Sequence, residues 1–214
     1  MSDNKIAVGA MVKLGIILAI YAVVACVGLA FVYNGTVKVI AQRQQDDLNL
    51  ALKELFPEAD SFRAITNISI SDPAVVIEGD KENPNNTGAF AALKNGKVIG
   101  AALRTSRASY AGSIKILVGV STDSKICGVR ILENKDTPGL GANAGSNTYY
   151  VDRAKGIHFF QQFTGKSTNE PFVAKQDVIP ITAATITSRA VAASVKAAGE
   201  AASAWFTSGA GGLK

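Results

Sequence analysis

From Leu14 to Tyr33 every residue is apolar, glycine or tyrosine, a run of 20 residues without a charge. At about 1.5 Å of rise per residue, a helix of that length spans the roughly 30 Å hydrocarbon core of a bilayer. A secretory leader is the competing reading, because Val23-Val24-Ala25-Cys26 loosely resembles a lipoprotein cleavage box behind Lys5 and Lys13. The apolar run, however, continues for seven residues beyond Cys26, where a lipoprotein turns polar, and no small-x-small cleavage site precedes Asn34. The sequence therefore predicts a retained single-pass anchor. Basic residues leave its orientation open, since Lys5 and Lys13 on one side balance Lys38 and Arg43 on the other.

The 214 residues leave room beyond the anchor for one domain of ordinary size. Residues 1–35 are expected to form the amino-terminal segment and anchor, 36–60 a connecting helix, and 61–214 a domain outside the membrane. In the connecting stretch Val39, Ile40, Leu48, Leu50, Leu52 and Leu55 alternate with Gln, Asp and Lys, and Pro57 ends the pattern. Phe62 to Ile70 alternates as a strand does, and Gly79 to Gly88 is turn-rich. Ala89 to Leu93 and Lys97 to Thr105 flank Lys94-Asn95-Gly96, a hairpin signal; Ile114 to Val120 and Lys125 to Leu132 follow as further strands. The pattern predicts an α+β fold, a mainly antiparallel sheet with packed helices behind a transmembrane helix.

Near the carboxyl end, Pro180 stops regular structure ahead of Ile181-Thr182-Ala183-Ala184-Thr185-Ile186-Thr187-Ser188. Val191, Val195, Ala198, Ala202 and Trp205 then recur at steps of three and four, one apolar stripe of a helix. The hydroxyls thus gather at a helix start, where unpaired N–H groups and the helix dipole favour an anion such as phosphate. On spacing alone, Thr187 or Ser188 is better explained as a plain N-cap than as part of a site.

The second informative stretch is Asn134-Lys135-Asp136-Thr137-Pro138-Gly139-Leu140-Gly141. Together with Thr182 to Ser188 it resembles the FMN-binding domain of the RnfG and NqrC subunits of ion-pumping respiratory complexes. Tyr110-Ala111-Gly112, the strand from Lys115 to Val120 and Phe163-Thr164-Gly165-Lys166 share in the resemblance. In that family FMN is covalent, its phosphate esterified to the last threonine of a Ser/Thr-Gly-Ala-Thr run, which falls on Thr185. The resemblance places Thr182, Ala183, Ala184, Thr187 and Ser188 around that link. It sets Thr137, Pro138, Gly139, Leu140 and Gly141 against the ring, glycines baring one face, so that Gly141→Val should disturb the ring more than the link. Tyr110 suits either stacking on a ring or packing in the core, with the core favoured. The family usually has glycine where Ala183 stands, and often an acid six residues before the acceptor, where this chain has Ile179 and its nearest acid is Asp177.

The resemblance implies an electron-transfer subunit of an Rnf-type ferredoxin:NAD oxidoreductase coupled to ion translocation. It further implies a flavin transferase for maturation, other complex subunits as partners, and an extracytoplasmic domain on a bacterial or archaeal inner membrane. An NqrC-like subunit of a sodium-pumping NADH:quinone reductase is the near alternative. The short chain, without a large insertion before Thr137, favours RnfG. A membrane-anchored assembly module that has lost its flavin is a third reading, motivated by Ala183 and Ile179. A free-standing flavin reductase would need a nicotinamide site, and no such fingerprint is present.

His158, beside Phe159 and Phe160, reads as a helix-surface residue rather than a metal ligand or catalytic base. Cys26 falls in the apolar run and Cys127 in an expected strand, so neither a disulfide nor a four-ligand cluster is indicated. The net charge of +5 is scattered, without the basic stripe that nucleic acid binding requires.

Overall fold

The computed structural model describes residues 3–79 and 87–209, with side chains from residue 9 onward, so most of the expected loop from Gly79 to Gly88 lies outside the described residues. The chain divides into two compact units, Met1–Asp47 and Leu48–Lys214. The described residues of the first form one helix. This helix, α1 (Asp3–Leu55), is long and apolar enough to cross a membrane and carries exposed Leu14, Leu18, Val24, Leu29 and Phe31. Such a continuous apolar surface is stable when lipid covers it.

In the second unit, α1 contributes its last turns and the rest of the chain builds a sheet. Its strands are β1 (Ser61–Ala64), β2 (Val75–Ile77), β3 (Ala89–Lys94), β4 (Lys97–Ala108), β5 (Ser113–Ser121) and β6 (Ile126–Glu133). All pairings are antiparallel, in the order β1-β3-β4-β5-β6, with β2 also on β4. Asn95 and Gly96 both take positive φ, 51° and 76°, the geometry a two-residue hairpin turn demands. A separate small hairpin joins β7 (Tyr150–Asp152) to β8 (Ile157–His158), and α2 (Thr185–Thr207) ends the fold.

Two expectations change. The strand foreseen from Phe62 to Ile70 stops at Ala64, because β3, its partner, begins at Ala89 and offers nothing to pair with further along. Beyond that point β4 pairs with β2 instead, Val75 opposite Arg107 and Ile77 opposite Thr105. His158 lies on β8 and not on a helix. Its ring stacks between Tyr150 and Phe160, with centroids 4.3 and 5.8 Å away, and Nδ1 sits 2.8 Å from the Tyr149 carbonyl.

The two sheet faces bury different partners, as alternation along a strand requires. One face sets Ala101, Leu103, Ile116 and Val118 in a core with the α2 stripe of Val191, Val195, Ala198, Ala202 and Trp205. The other sets Phe90, Ala92, Ala102 and Leu117 in a core with Leu48, Ala51, Leu52 and Phe56. That second face is pared down where the chain leaves α1. A Cβ at Gly100 would overlap the Phe56 ring, one at Gly119 would stand 3.2 Å from it, and one at Gly128 would stand 2.8 Å from Leu55. Three glycines thus form the trough that receives Leu55 and Phe56.

Candidate functional site

Three segments far apart in sequence converge at the start of α2. The first is the turn between β4 and β5. There Ser109 N–H donates to the Gly112 carbonyl at 2.7 Å, and Tyr110 stands out at 71% exposure. Tyr110 is therefore not a core residue, as its sequence context favoured; its ring lines a cavity instead.

The second segment is the loop after β6. Asn134 folds it back on itself, accepting from the Asp136 N–H at 2.9 Å while its amide donates to the Gly141 carbonyl at 2.9 Å. Leu140 and Ala142 N–H groups both donate to the Thr137 carbonyl, and a short 3-10 turn follows from Gly141 to Gly145. The third segment is the approach to α2. Ser188 Oγ accepts from the Ile181 N–H and donates to the Ala184 carbonyl, each at 2.9 Å, which braces the turn against the helix.

Asp136 joins all three. Its Oδ2 accepts from Ser109 Oγ at 2.5 Å and from Thr187 Oγ1 at 2.6 Å, and its Oδ1 accepts from the Ala111 N–H at 2.8 Å. Burial pushes this carboxyl up, but the hydroxyls of Ser109 and Thr187 with the N–H groups of Ala111 and Tyr110 outweigh it and hold the group below the ordinary carboxylate range. A carboxyl so depressed stabilises the folded site above its unfolded pKa, and that contribution is lost as pH falls through the lower folded value.

The segments enclose a cavity of about 390 Å³ lined by Tyr110, Asp136, Thr137, Leu140, Gly141 and residues 183–187. A second cavity, of about 570 Å³, shares Leu140 and Ala183 with it and adds Gly139, Tyr149, Tyr150, Arg153, Ile179 and Thr182. The helix opens at Thr185 with Ala184 as its N-cap residue and no side-chain cap, so neither Thr187 nor Ser188 is the N-cap that spacing allowed. The first-turn N–H groups of Thr185, Ile186 and Thr187 therefore have no acceptor within the helix. The two buried hydroxyls, of Thr187 and Ser188, are committed to Asp136 and to Ala184 and Ile181. Thr185 is half-buried, lines the cavity, and has no side-chain hydrogen bond among the described residues. A free hydroxyl on the first turn of α2 beside N–H groups without helical acceptors, with the Asp136 carboxylate already accepting from Ser109, Thr187 and Ala111, is a donor set that fits a phosphate ester.

Residues 109–200 match the family described as the FMN-binding domain, and residues 1–55 match the RnfG N-terminal region. The chain is 32% identical over 192 residues to the G subunit of the Na(+)-translocating ferredoxin:NAD(+) oxidoreductase complex of Acetobacterium woodii, covering 86% of this chain and 87% of that one. It belongs to the family of Rnf-type G subunits. The G subunit of the proton-translocating ferredoxin:NAD(+) oxidoreductase complex of Clostridium ljungdahlii is 31% identical, over 80% of each chain. The G subunit of the ion-translocating oxidoreductase complex of Shewanella baltica is 31% identical, over 87% of this chain and 86% of that one. The crystal structure of Shewanella oneidensis NqrC aligns with a TM-score of 0.40 at 16% identity, over 72% of this chain and 81% of that one.

For an Rnf-type G subunit the expected residues divide as follows. Tyr110, Thr137, Leu140, Gly141, Ala183, Ala184, Thr185 and Thr187 line the first cavity; Gly139 and Thr182 line the second; Pro138 and Ser188 line neither. Sequence reasoning missed Asp136 and Ser109. The available signal was an acid directly before the Thr-Pro-Gly run.

Ala183, where the resemblance led glycine to be expected, adopts a φ of 58°. An L-residue in that region costs roughly 1–2 kcal/mol; glycine would remove that strain but lose about 0.5–1 kcal/mol of it again through its greater unfolded entropy. Ala183→Gly is thus expected to stabilise the second unit by about 0.5–1 kcal/mol. It should show as a rise of a few degrees in the thermal midpoint; an unchanged or lower midpoint would mean that the turn is not strained.

Proposed function

We propose that this chain is the FMN-carrying electron-transfer subunit of an Rnf-type ferredoxin:NAD oxidoreductase coupled to ion translocation, with FMN esterified to Thr185. The carrying observation is that Thr185 alone among the first-turn hydroxyls is uncommitted, at a cavity where the two separated motifs meet. The relatives' names, G subunits throughout, and the match of residues 1–55 favour this reading over an NqrC-like one. Those names divide between sodium and proton translocation, so the family by itself assigns no ion. The flavin-free alternative loses one of its motives, because Ala183 takes up the left-handed turn without glycine.

FMN, when bound, supplies the one- and two-electron chemistry. The chain supplies tether, anion site and surroundings. Thr185 Oγ1 would form the ester bond to phosphorus. A phosphate monoester lacks a good leaving group, so the donor must be a flavin phosphoanhydride: its P–O bond breaks, the displaced phosphate keeps the electron pair, and the hydroxyl proton passes to the transferase. The N–H groups of residues 185–187 and the positive end of α2 would hold the anionic phosphate. Leu140 and Tyr110 offer apolar and aromatic area at the cavity mouth for the ring.

We read α1 as a single span with the second unit outside the cytoplasm. A reporter active only outside the cytoplasm, fused after Lys214, is expected to work; activity of a cytoplasmic reporter alone would reverse the orientation. The function itself is tested by intact-mass measurement of the denatured chain purified from cells with its transferase. One FMN esterified per chain, the mass of FMN less water, is expected, and an unmodified mass would return the assembly-module reading.

A further inference from the structure

Esterification at Thr185 makes no direct use of Asp136, yet this buried carboxylate is where the site's three segments are fastened. Its bond to Thr187 joins residues 51 apart in sequence and is the site's side-chain tie between the loop after β6 and the first turn of α2. Thr187 stands two residues after Thr185 in the same rigid turn. Fixing the rotation of the helix at one therefore fixes it at the other. The same bond occupies the Thr187 hydroxyl, which would otherwise be a second free nucleophile on the first turn of α2. A carboxylate suits the task because it accepts three donors without presenting an N–H, whereas an asparagine has one acceptor oxygen.

We propose that Asp136 is a positioning residue for flavin attachment, acting through its hydrogen bond to Thr187 to hold the first turn of α2 with Thr185 Oγ1 presented to the cavity. The proposal rests on the attachment reading given above. In that step the Thr185 Oγ1–P bond forms and the P–O bond of the flavin phosphoanhydride breaks. The leaving phosphate keeps the electron pair, and the threonine proton goes to the transferase. Asp136 takes no part in the exchange of bonds; without its hold, Thr185 samples orientations from which attack is unproductive.

The test uses the full chain in detergent, made without transferase and then supplied with transferase and flavin adenine dinucleotide. Wild type, Asp136→Asn, Thr187→Val and the double variant are compared by intact mass over time and by amide hydrogen exchange of the flavin-free chains. Each single variant should lower the kcat of attachment at least about tenfold with the KM for the flavin donor little changed, and should speed exchange at residues 185–188. The double variant should be no slower than the slower single, as expected when two residues act as one unit. A folded Asp136→Asn chain labelled at the wild-type rate overturns the proposal, and so do rates that multiply in the double variant. Should Asp136→Asn not fold, Thr187→Val carries the test, and its labelling at the wild-type rate overturns the proposal equally. A wild-type adduct on a residue other than Thr185 refutes the attachment reading and the proposal with it, whereas a Thr185 adduct with unaffected variants refutes the proposal alone.

Discussion

Thr185→Ala is expected to yield a folded chain that carries no covalent flavin. The loss should be complete rather than graded, because the ester oxygen itself is removed and the neighbouring hydroxyls are already engaged, Thr187 with Asp136 and Ser188 with Ala184. Stability should change little, within about 0.5 kcal/mol, since the side chain is half-exposed, makes no hydrogen bond among the described residues, and gives way to a better helix former. Intact mass and a thermal unfolding curve measured together separate the two effects. Equal flavin content in the variant sinks the assignment. Flavin that survives Thr185→Ala and disappears in Thr187→Ala would move the acceptor two residues along and make the Asp136–Thr187 bond a feature of the unreacted chain only.

How much of this was legible in the sequence depends on how local the cause was. The α2 stripe from Val191 to Trp205 and the hairpin at Asn95-Gly96 follow from period and turn chemistry, and both appear where expected. The strands β3 to β6 follow from alternation, with ends shifted by a residue or a few. β2 did not announce itself, because a three-residue strand exists only where β4 outlasts β3 and leaves its edge open to a new partner. His158 escapes the sequence for a similar reason: its two-residue strand exists only by pairing with β7, Tyr150 opposite His158, and not by any run of its own. The role of Asp136 was hidden because its hydroxyl partners lie 27 and 51 residues away. Nothing local in the strands explains Gly100, Gly119 and Gly128, and only the packing of Leu55 and Phe56 gives them a reason.

Gly141→Val brings that distinction to bear on the site. The family resemblance implies that Gly141 leaves one face of a flat ring uncovered, so that a valine there should alter spectrum or potential while sparing the link. The geometry supplies a different neighbour. A Cβ on residue 141 would run into Thr187 Oγ1 and come within 2.7 Å of both Cβ and Oδ2 of Asp136. Such approaches are not tolerated, so either the loop withdraws, breaking the Asn134 amide bond to the Gly141 carbonyl, or Asp136 and Thr187 part. Each route frees the first turn of α2. We therefore expect Gly141→Val to reduce flavin attachment at least about tenfold and to lower stability by about 1–3 kcal/mol, the usual range for overpacking. Gly156→Ala is the control, because a Cβ there meets nothing within 4 Å, the residue lines neither cavity and only the φ of 65° opposes it, so it should label nearly as wild type. If Gly141→Val instead labels at the wild-type rate and shows a shifted visible spectrum, the glycine serves the ring, and the fastening of Asp136 to Thr187 is not what its missing side chain protects.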